Sequence, residues 1–159
     1  MASPSYDNPA TGYPSLINEE SFMDFIIVQE LTKNVDGYRK SSYFHKKKDV
    51  TDPLMFAGPA WDFNLALGNP AIYNGNQTTG FQYEFNQNFP TDPNSVPFYW
   101  ETLINDPEFN NELVCRYNFH RSNSLSTANI MGNIDSLVAV LQNAQVNNFN
   151  TYDILNTPL

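Results

Sequence analysis

Apolar residues crowd one early stretch: Phe22, Met23, Phe25, Ile26, Ile27, Val28 and Leu31 cover most of the circumference of a helix. Such a helix is buried on nearly all sides. Asn18 is placed to cap its first free N–H groups, and Glu19 and Glu20 fall in the first turn, where the helix dipole favours negative charge. The helix is expected to end near Lys33. Two short β-prone runs follow, Ser41-Ser42-Tyr43-Phe44-His45 and Pro53-Leu54-Met55-Phe56-Ala57. The polar stretch Lys46 to Asp52 between them reads as a solvated hairpin turn. Three more helices are predicted. The first, from Pro97 to Asn105, carries Phe98, Trp100, Leu103 and Ile104. The second is opened by Pro107, which suits a first turn, and repeats Phe109, Leu113 and Tyr117 every four residues. The third, capped by Ser126 or Thr127, carries the stripe Ile130, Ile134, Leu137, Val138 and Leu141. These stripes are read as core. Cys115, beside Val114, is read as a buried apolar residue.

Elsewhere the periodicity lapses. Residues 1–16 read as an irregular arm in which Pro4, Pro9 and Pro14 recur among Ser, Tyr, Asn and Gly. From Gly68 to Pro97 the chain is rich in Asn, Gln, Gly, Thr and Pro, with irregularly spaced aromatics that pin it to the body. A connection of this length is either functional and substrate-facing or a packed Ω-like loop. The pattern predicts an α+β fold, mostly helical, with one short β-hairpin. The organisation expected is the arm, one domain over 17–150, and a tail over 151–159.

Composition narrows the classes of function. The chain has 159 residues, enough for one domain with a real core. Seventeen Asp and Glu against eight Lys and Arg give a net charge of −9, which argues against a nucleic-acid surface or an anionic membrane as partner. No apolar run is long enough for a membrane span. One cysteine cannot form an internal disulfide. The lysines at 46–48 read as an exposed turn rather than a phosphate site, and His45 has no local partner for general-base work. Asn76-Gln77-Thr78 is a glycosylation sequon by pattern, and a chance occurrence is the better reading. Arg116 and Arg121 are expected to pair structurally.

The candidate chemistry lies in two turns that frame the hairpin, Asn34-Val35-Asp36-Gly37-Tyr38 and Gly58-Pro59-Ala60-Trp61-Asp62-Phe63-Asn64. Folding the hairpin should bring Asp36 and Asp62 together. Two carboxylates flanked by Asn34, Ser41 and Asn64 offer hard oxygen ligands suited to Mg²⁺. Each Asp also has a plain reading, as a turn residue bonding nearby backbone amides. The layout parallels a protein-kinase active site, where a catalytic-loop Asp and an Asn five residues later precede a hairpin and a metal-binding Asp loop. Here Ser41 stands at the Asn position.

The runs Glu30-Leu31-Thr32-Lys33-Asn34-Val35-Asp36-Gly37-Tyr38-Arg39 and Gly58-Pro59-Ala60-Trp61-Asp62-Phe63-Asn64, with Gly68-Asn69, resemble the CotH kinase family of atypical secreted protein kinases. Val96-Pro97-Phe98-Tyr99-Trp100 and Asp106-Pro107-Glu108-Phe109 add to the resemblance, which extends from Ile17 to Asp135. It implies a protein-kinase-like C-terminal lobe with the hairpin between catalytic and metal loops. It further implies transfer of phosphate from ATP, with Mg²⁺, to Ser or Thr of a protein substrate, and a secreted or cell-surface location. In that scheme Asp36 acts on the acceptor hydroxyl, Asp62 and Asn64 hold metal, and Asn34 and Ser41 assist cofactor binding. Asn64 stands where the family pattern often has a second Asp.

A complete kinase also has a glycine-rich loop and a nucleotide-binding lysine ahead of the catalytic loop. Neither occurs before Asp36, and Met1-Ala2-Ser3-Pro4 does not open a signal peptide. The chain is therefore expected to be a fragment whose upstream lobe and signal lie elsewhere. Two other classes stay open: a non-catalytic cell-surface or spore-coat binding or adhesion module, and a glycosidase-like acid/base pair. The last lacks the apolar setting that would raise one carboxyl pKa.

Overall fold

In a computed structural model, which describes residues 4–152, the chain forms a mostly helical α+β fold with one two-stranded antiparallel sheet. Of the tail expected over 151–159, residues 153–159 lie outside the described residues, as do the first three residues of the arm. Within a helix the described residues divide into two compact units, residues 4–111 and residues 112–152.

The first unit is built on helix α1, Glu19–Thr32. Asn18 caps it as expected: its Oδ1 accepts from the Ser21 amide at 2.9 Å, and the Ser21 hydroxyl donates back to the Asn18 carbonyl at 2.7 Å. Phe22, Met23, Phe25, Ile26, Ile27 and Gln29 are all buried, so the helix is packed on several sides. Lys33 ends it in the left-handed region, with φ of 51°, and turns the chain into the Asn34 loop. The strands are shorter than the β-prone runs: β1 is Phe44–Lys46 and β2 is Met55–Ala57, with Phe44 opposite Ala57. Ser41 to Tyr43 stay outside the sheet because the turn that begins at Asp36 still holds Ser41, whose amide bonds the Asp36 carbonyl at 3.0 Å. Residues 16–18 flank β2, where Met55 exchanges backbone bonds with Leu16 and Asn18. In the hairpin turn, Lys46 pairs with Asp49 and Lys47 with Asp52. His45 stacks on Phe56.

The long connection is not without structure. It holds a 3₁₀ turn at Gln82–Glu84 that runs into a short helix α2, Phe85–Asn88. Asn86 and the Val96 backbone exchange two hydrogen bonds, of 2.8 and 2.7 Å, which close the segment on itself. Helix α3, Phe98–Asn105, follows with Pro97 as its N-cap. Its Trp100 is fully buried and is the hub of the core, with ring centroids 5.0 Å from Phe25, 5.2 Å from Tyr38 and 5.5 Å from Phe22. Aromatic contacts of this kind add to the area-based gain of burial. Asp106 then caps α4, Pro107–Ser122, accepting from the amides of Glu108 and Phe109.

The second unit takes the C-terminal part of α4 and α5, Thr127–Thr151. Ser126 caps α5 through the Asn129 amide, and Arg121 donates to the Leu125 carbonyl and the Thr127 hydroxyl, fixing the turn between the helices. Here the sequence expectation needs correction. Phe109 is buried, but Tyr117, Ile134, Leu137, Val138 and Leu141 are at least 40% exposed, and Cys115 is exposed too. The stripe is present as a helix face, but that face is not core. Periodicity fixes which residues share a face and does not supply a second layer to cover it.

Candidate active site

The two turns singled out from the sequence are neighbours, held together main chain to main chain. The Val35 amide donates to the Leu65 carbonyl at 3.2 Å, and the Leu67 amide donates to the Thr32 carbonyl at 2.7 Å. Asn34, fully buried, adds a side-chain link: its Nδ2 donates to the Asp62 carbonyl at 3.4 Å, and its Oδ1 accepts from the Asp36 amide at the same distance. A buried amide needs such partners, and here they span both loops.

The Asn34–Ser41 loop is anchored from below. Val35 and Tyr38 are buried to within 2% and 1%, and Tyr38 packs edge-on to Trp100. Gly37 lies between them against α1. A Cβ there would come within 2.1 Å of Gln29 Oε1, so glycine lets the loop lie this close to the helix while the buried Gln29 side chain keeps its place. With Val35, Gly37 and Tyr38 turned inward, Asp36 retains partial solvent contact. Its carbonyl accepts from the amides of Arg39, Lys40 and Ser41. Its carboxylate accepts from Arg39 Nη2 at 2.7 Å, and Lys40 Nζ lies 3.6 Å away.

In the second loop Asp62 sits in the left-handed region, φ 60° and ψ 62°, and opens a 3₁₀ turn, Phe63–Leu65. Held non-glycine residues of this kind are enriched where strain serves a function, and Asp is among the few that tolerate it. Asp62 and Asn64 are both exposed, and the Asn64 carbonyl accepts from Asn69 Nδ2 at 2.7 Å. Trp61, 59% exposed, stands edge-on to Tyr43. Ser41 is buried. A groove of about 240 Å³ runs beside this loop between α1 and Ala57–Ala60, lined by Ser21, Asp24, Phe25, Val28 and Gln29.

Among the described residues no group of three or more His, Cys, Asp and Glu is arranged to hold a metal ion by itself. The donor set is thus one or two carboxylates with neutral oxygens. That set fits Mg²⁺, which keeps several waters and is commonly held by one or two carboxylates together with substrate phosphates. Asp62 and Asn64 are exposed within one turn and could contribute to such a set. Asn34 spends its amide on the two backbones.

Sequence reasoning passed over Arg39 as a functional residue. Its side chain is 1% exposed, with the guanidinium 3.7 Å above the Phe85 ring and 4.8 Å from that of Tyr73. It bonds Asp36, Asp92 and the carbonyls of Val35 and Asn94. Tyr73 in turn donates to Asp92 at 2.7 Å, and that hydrogen bond, with the Asn94 amide, holds the Asp92 carboxyl below its ordinary pKa. Glu30, on the last turn of α1, was also missed. Both its oxygens accept backbone amides, from Gln82 and Tyr83, and burial raises its pKa. Their partners from outside their own segments lie in the aperiodic connection, where no spacing rule signals them.

A family model described as CotH kinase protein matches residues 2–157. No curated protein and no solved structure matches the chain. Among the described residues no helix is long and apolar enough to cross a membrane.

Proposed function

The chain belongs to the CotH kinase protein family, and we propose that its first unit carries the catalytic and metal loops of a Mg²⁺-dependent ATP:protein phosphotransferase with a kinase-like C-terminal lobe. The observation that supports this most is the pairing of the Asp36 and Asp62 loops through Val35–Leu65, Leu67–Thr32 and the Asn34 amide. Phosphoryl transfer asks the protein mainly for positioning and charge stabilisation, and a doubly bonded pair of loops on a packed helix is a rigid mount.

In this reading Asp36 orients a serine or threonine hydroxyl of the protein acceptor and takes its proton as the phosphoryl group arrives. Asp62 and Asn64 would hold Mg²⁺, which when bound neutralises charge on the phosphates. Asn34 fixes the two loops relative to each other, and Ser41 closes the turn that presents Asp36. A secreted or cell-surface location belongs to the same proposal.

The test is transfer of the γ-phosphate of ATP to a Ser/Thr-rich peptide by the whole protein, with and without Mg²⁺. Transfer should require the metal, and Asp36→Asn should remove the chemical step while leaving nucleotide affinity within about twofold. Wild-type transfer rates in Asp36→Asn would reject the assignment. A second reading, a non-catalytic cell-surface or spore-coat binding module, is favoured by the exposed apolar face of α5. Binding to a surface without any turnover of ATP would select it.

A further inference from the structure

Arg39 has more partners than an arginine needs for packing alone. Its guanidinium is sequestered from water, and a buried cation is tolerated only where charge and hydrogen bonds compensate it. The compensation is asymmetric. One terminal nitrogen, Nη2, holds the Asp36 carboxylate at 2.7 Å, while Nη1 holds the Asp92 carboxylate at 3.3 Å and the Asn94 carbonyl at 3.0 Å. Nε is tied to the Val35 carbonyl at 3.2 Å, within the same loop as Asp36. The Phe85 and Tyr73 rings, themselves packed edge to face, lie 3.7 and 4.8 Å from its guanidinium carbon, and Tyr73 also secures Asp92. Every one of these outer partners belongs to the connection between Gly68 and Pro97. A planar fork laid over an aromatic ring and bonded at both ends has one orientation, and it passes that orientation to the oxygen it bonds.

We propose that Arg39 is a positioning residue that sets the Asp36 carboxylate, and that the Tyr73–Asp92 clasp makes the Gly68–Pro97 connection a working part of the same site. The inference rests on the phosphotransferase reading for its consequence in catalysis, though not for its consequence in structure. Arg39 itself touches no reacting atom. It fixes where the Asp36 oxygens lie, and a misplacement of about 1 Å there costs a large factor in rate. Anything that lifts the connection away, or presses it down, changes the grip on Asp36.

The closing experiment pairs activity with hydrogen exchange on the whole protein. Arg39→Lys keeps the charge but not the fork or the stack, and Asp92→Asn and Tyr73→Phe loosen the clasp without touching Asp36. Arg39→Lys is expected to lower kcat at least about tenfold with nucleotide affinity unchanged, and the two clasp variants to lower it by smaller factors in the same direction. In an Asp36→Asn background, Arg39→Lys should cost nothing further in residual rate, although its effect on the melting temperature should persist. All three variants should speed exchange at the amides of residues 36–41. Full kcat in Arg39→Lys, or an equal loss in both backgrounds, would overturn the positioning role. If Asp36→Asn transfers phosphate at the wild-type rate, or the wild type transfers none, the phosphotransferase reading falls instead. Exchange at 36–41 then decides the structural half: unchanged rates in all three variants would reject it.

Discussion

The Asn34 side chain reaches the backbone carbonyl of Asp62 across 28 residues of sequence, and the same amide receives the Asp36 N–H. The contact joins the end of α1 to the turn that follows the hairpin, and it does so from a fully buried position.

Truncating that amide tests its weight. Asn34→Ala should cost about 1–2 kcal/mol, because two backbone groups lose a partner in a place closed to water. Asn34→Asp should cost more, since it buries a carboxylate beside the Asp62 carbonyl with no cation to offset it. Urea unfolding of the two variants gives the order directly. Equal stability of Asn34→Asp and wild type would mean the position is wet, and the clamp would lose its meaning.

Gly37 makes a second claim on the same loop. Gln29 is fully buried, its amide has no hydrogen-bond partner, and its Oε1 occupies the space a Gly37 side chain would take. Gly37→Ala should therefore destabilise the fold by about 1–3 kcal/mol through overpacking. Adding Gln29→Ala should return much of that loss, so that the double variant is more stable than the sum of the single changes. Strict additivity in denaturant midpoints would show that the two residues do not compete for space.

Much of this architecture was legible beforehand. The Asn18 cap, the buried α1, the hairpin and the α3 and α4 starts at Pro97 and Pro107 follow from caps, proline positions and apolar spacing, which are local signals. The two Asp-bearing turns were legible for the same reason. Arg39 was not, because its partners Tyr73, Phe85, Asp92 and Asn94 sit in a segment with no period, and only tertiary structure brings them near. The α5 stripe was misread as core, since Ile134, Leu137 and Leu141 are spaced like buried residues while standing exposed.

Glu30 gives a dependence on pH with a definite sign. Burial raises its carboxyl above the ordinary 4.5, and the Gln82 and Tyr83 amides pull the other way with smaller effect. The native state then binds a proton more tightly than the unfolded chain, so this group's contribution is fully present below pH 4.5 and is lost as pH rises through the folded pKa. Glu30→Gln, which does not titrate, should become steadily more stable relative to wild type as pH is raised from 4.5 to 7. Urea midpoints at several pH values measure the difference. A trend in the other direction would mean that the two amide bonds outweigh desolvation.

At Asp62, substitution can separate the turn it opens from the metal contact proposed for it. Its left-handed backbone costs an ordinary L-residue about 1 kcal/mol or more, whereas Asn tolerates the region and Gly prefers it. On stability, Asp62→Asn and Asp62→Gly should match the wild type, and Asp62→Ala should fall below them by about 1 kcal/mol. On phosphate transfer the order should be different: all three lack the carboxylate, so all three should lose Mg²⁺-dependent activity alike. Thermal melting and transfer assays on one set of samples would read both. Activity that tracked stability, with Asp62→Asn and Asp62→Gly active and Asp62→Ala impaired, would assign the residue to the turn and remove it from the metal site.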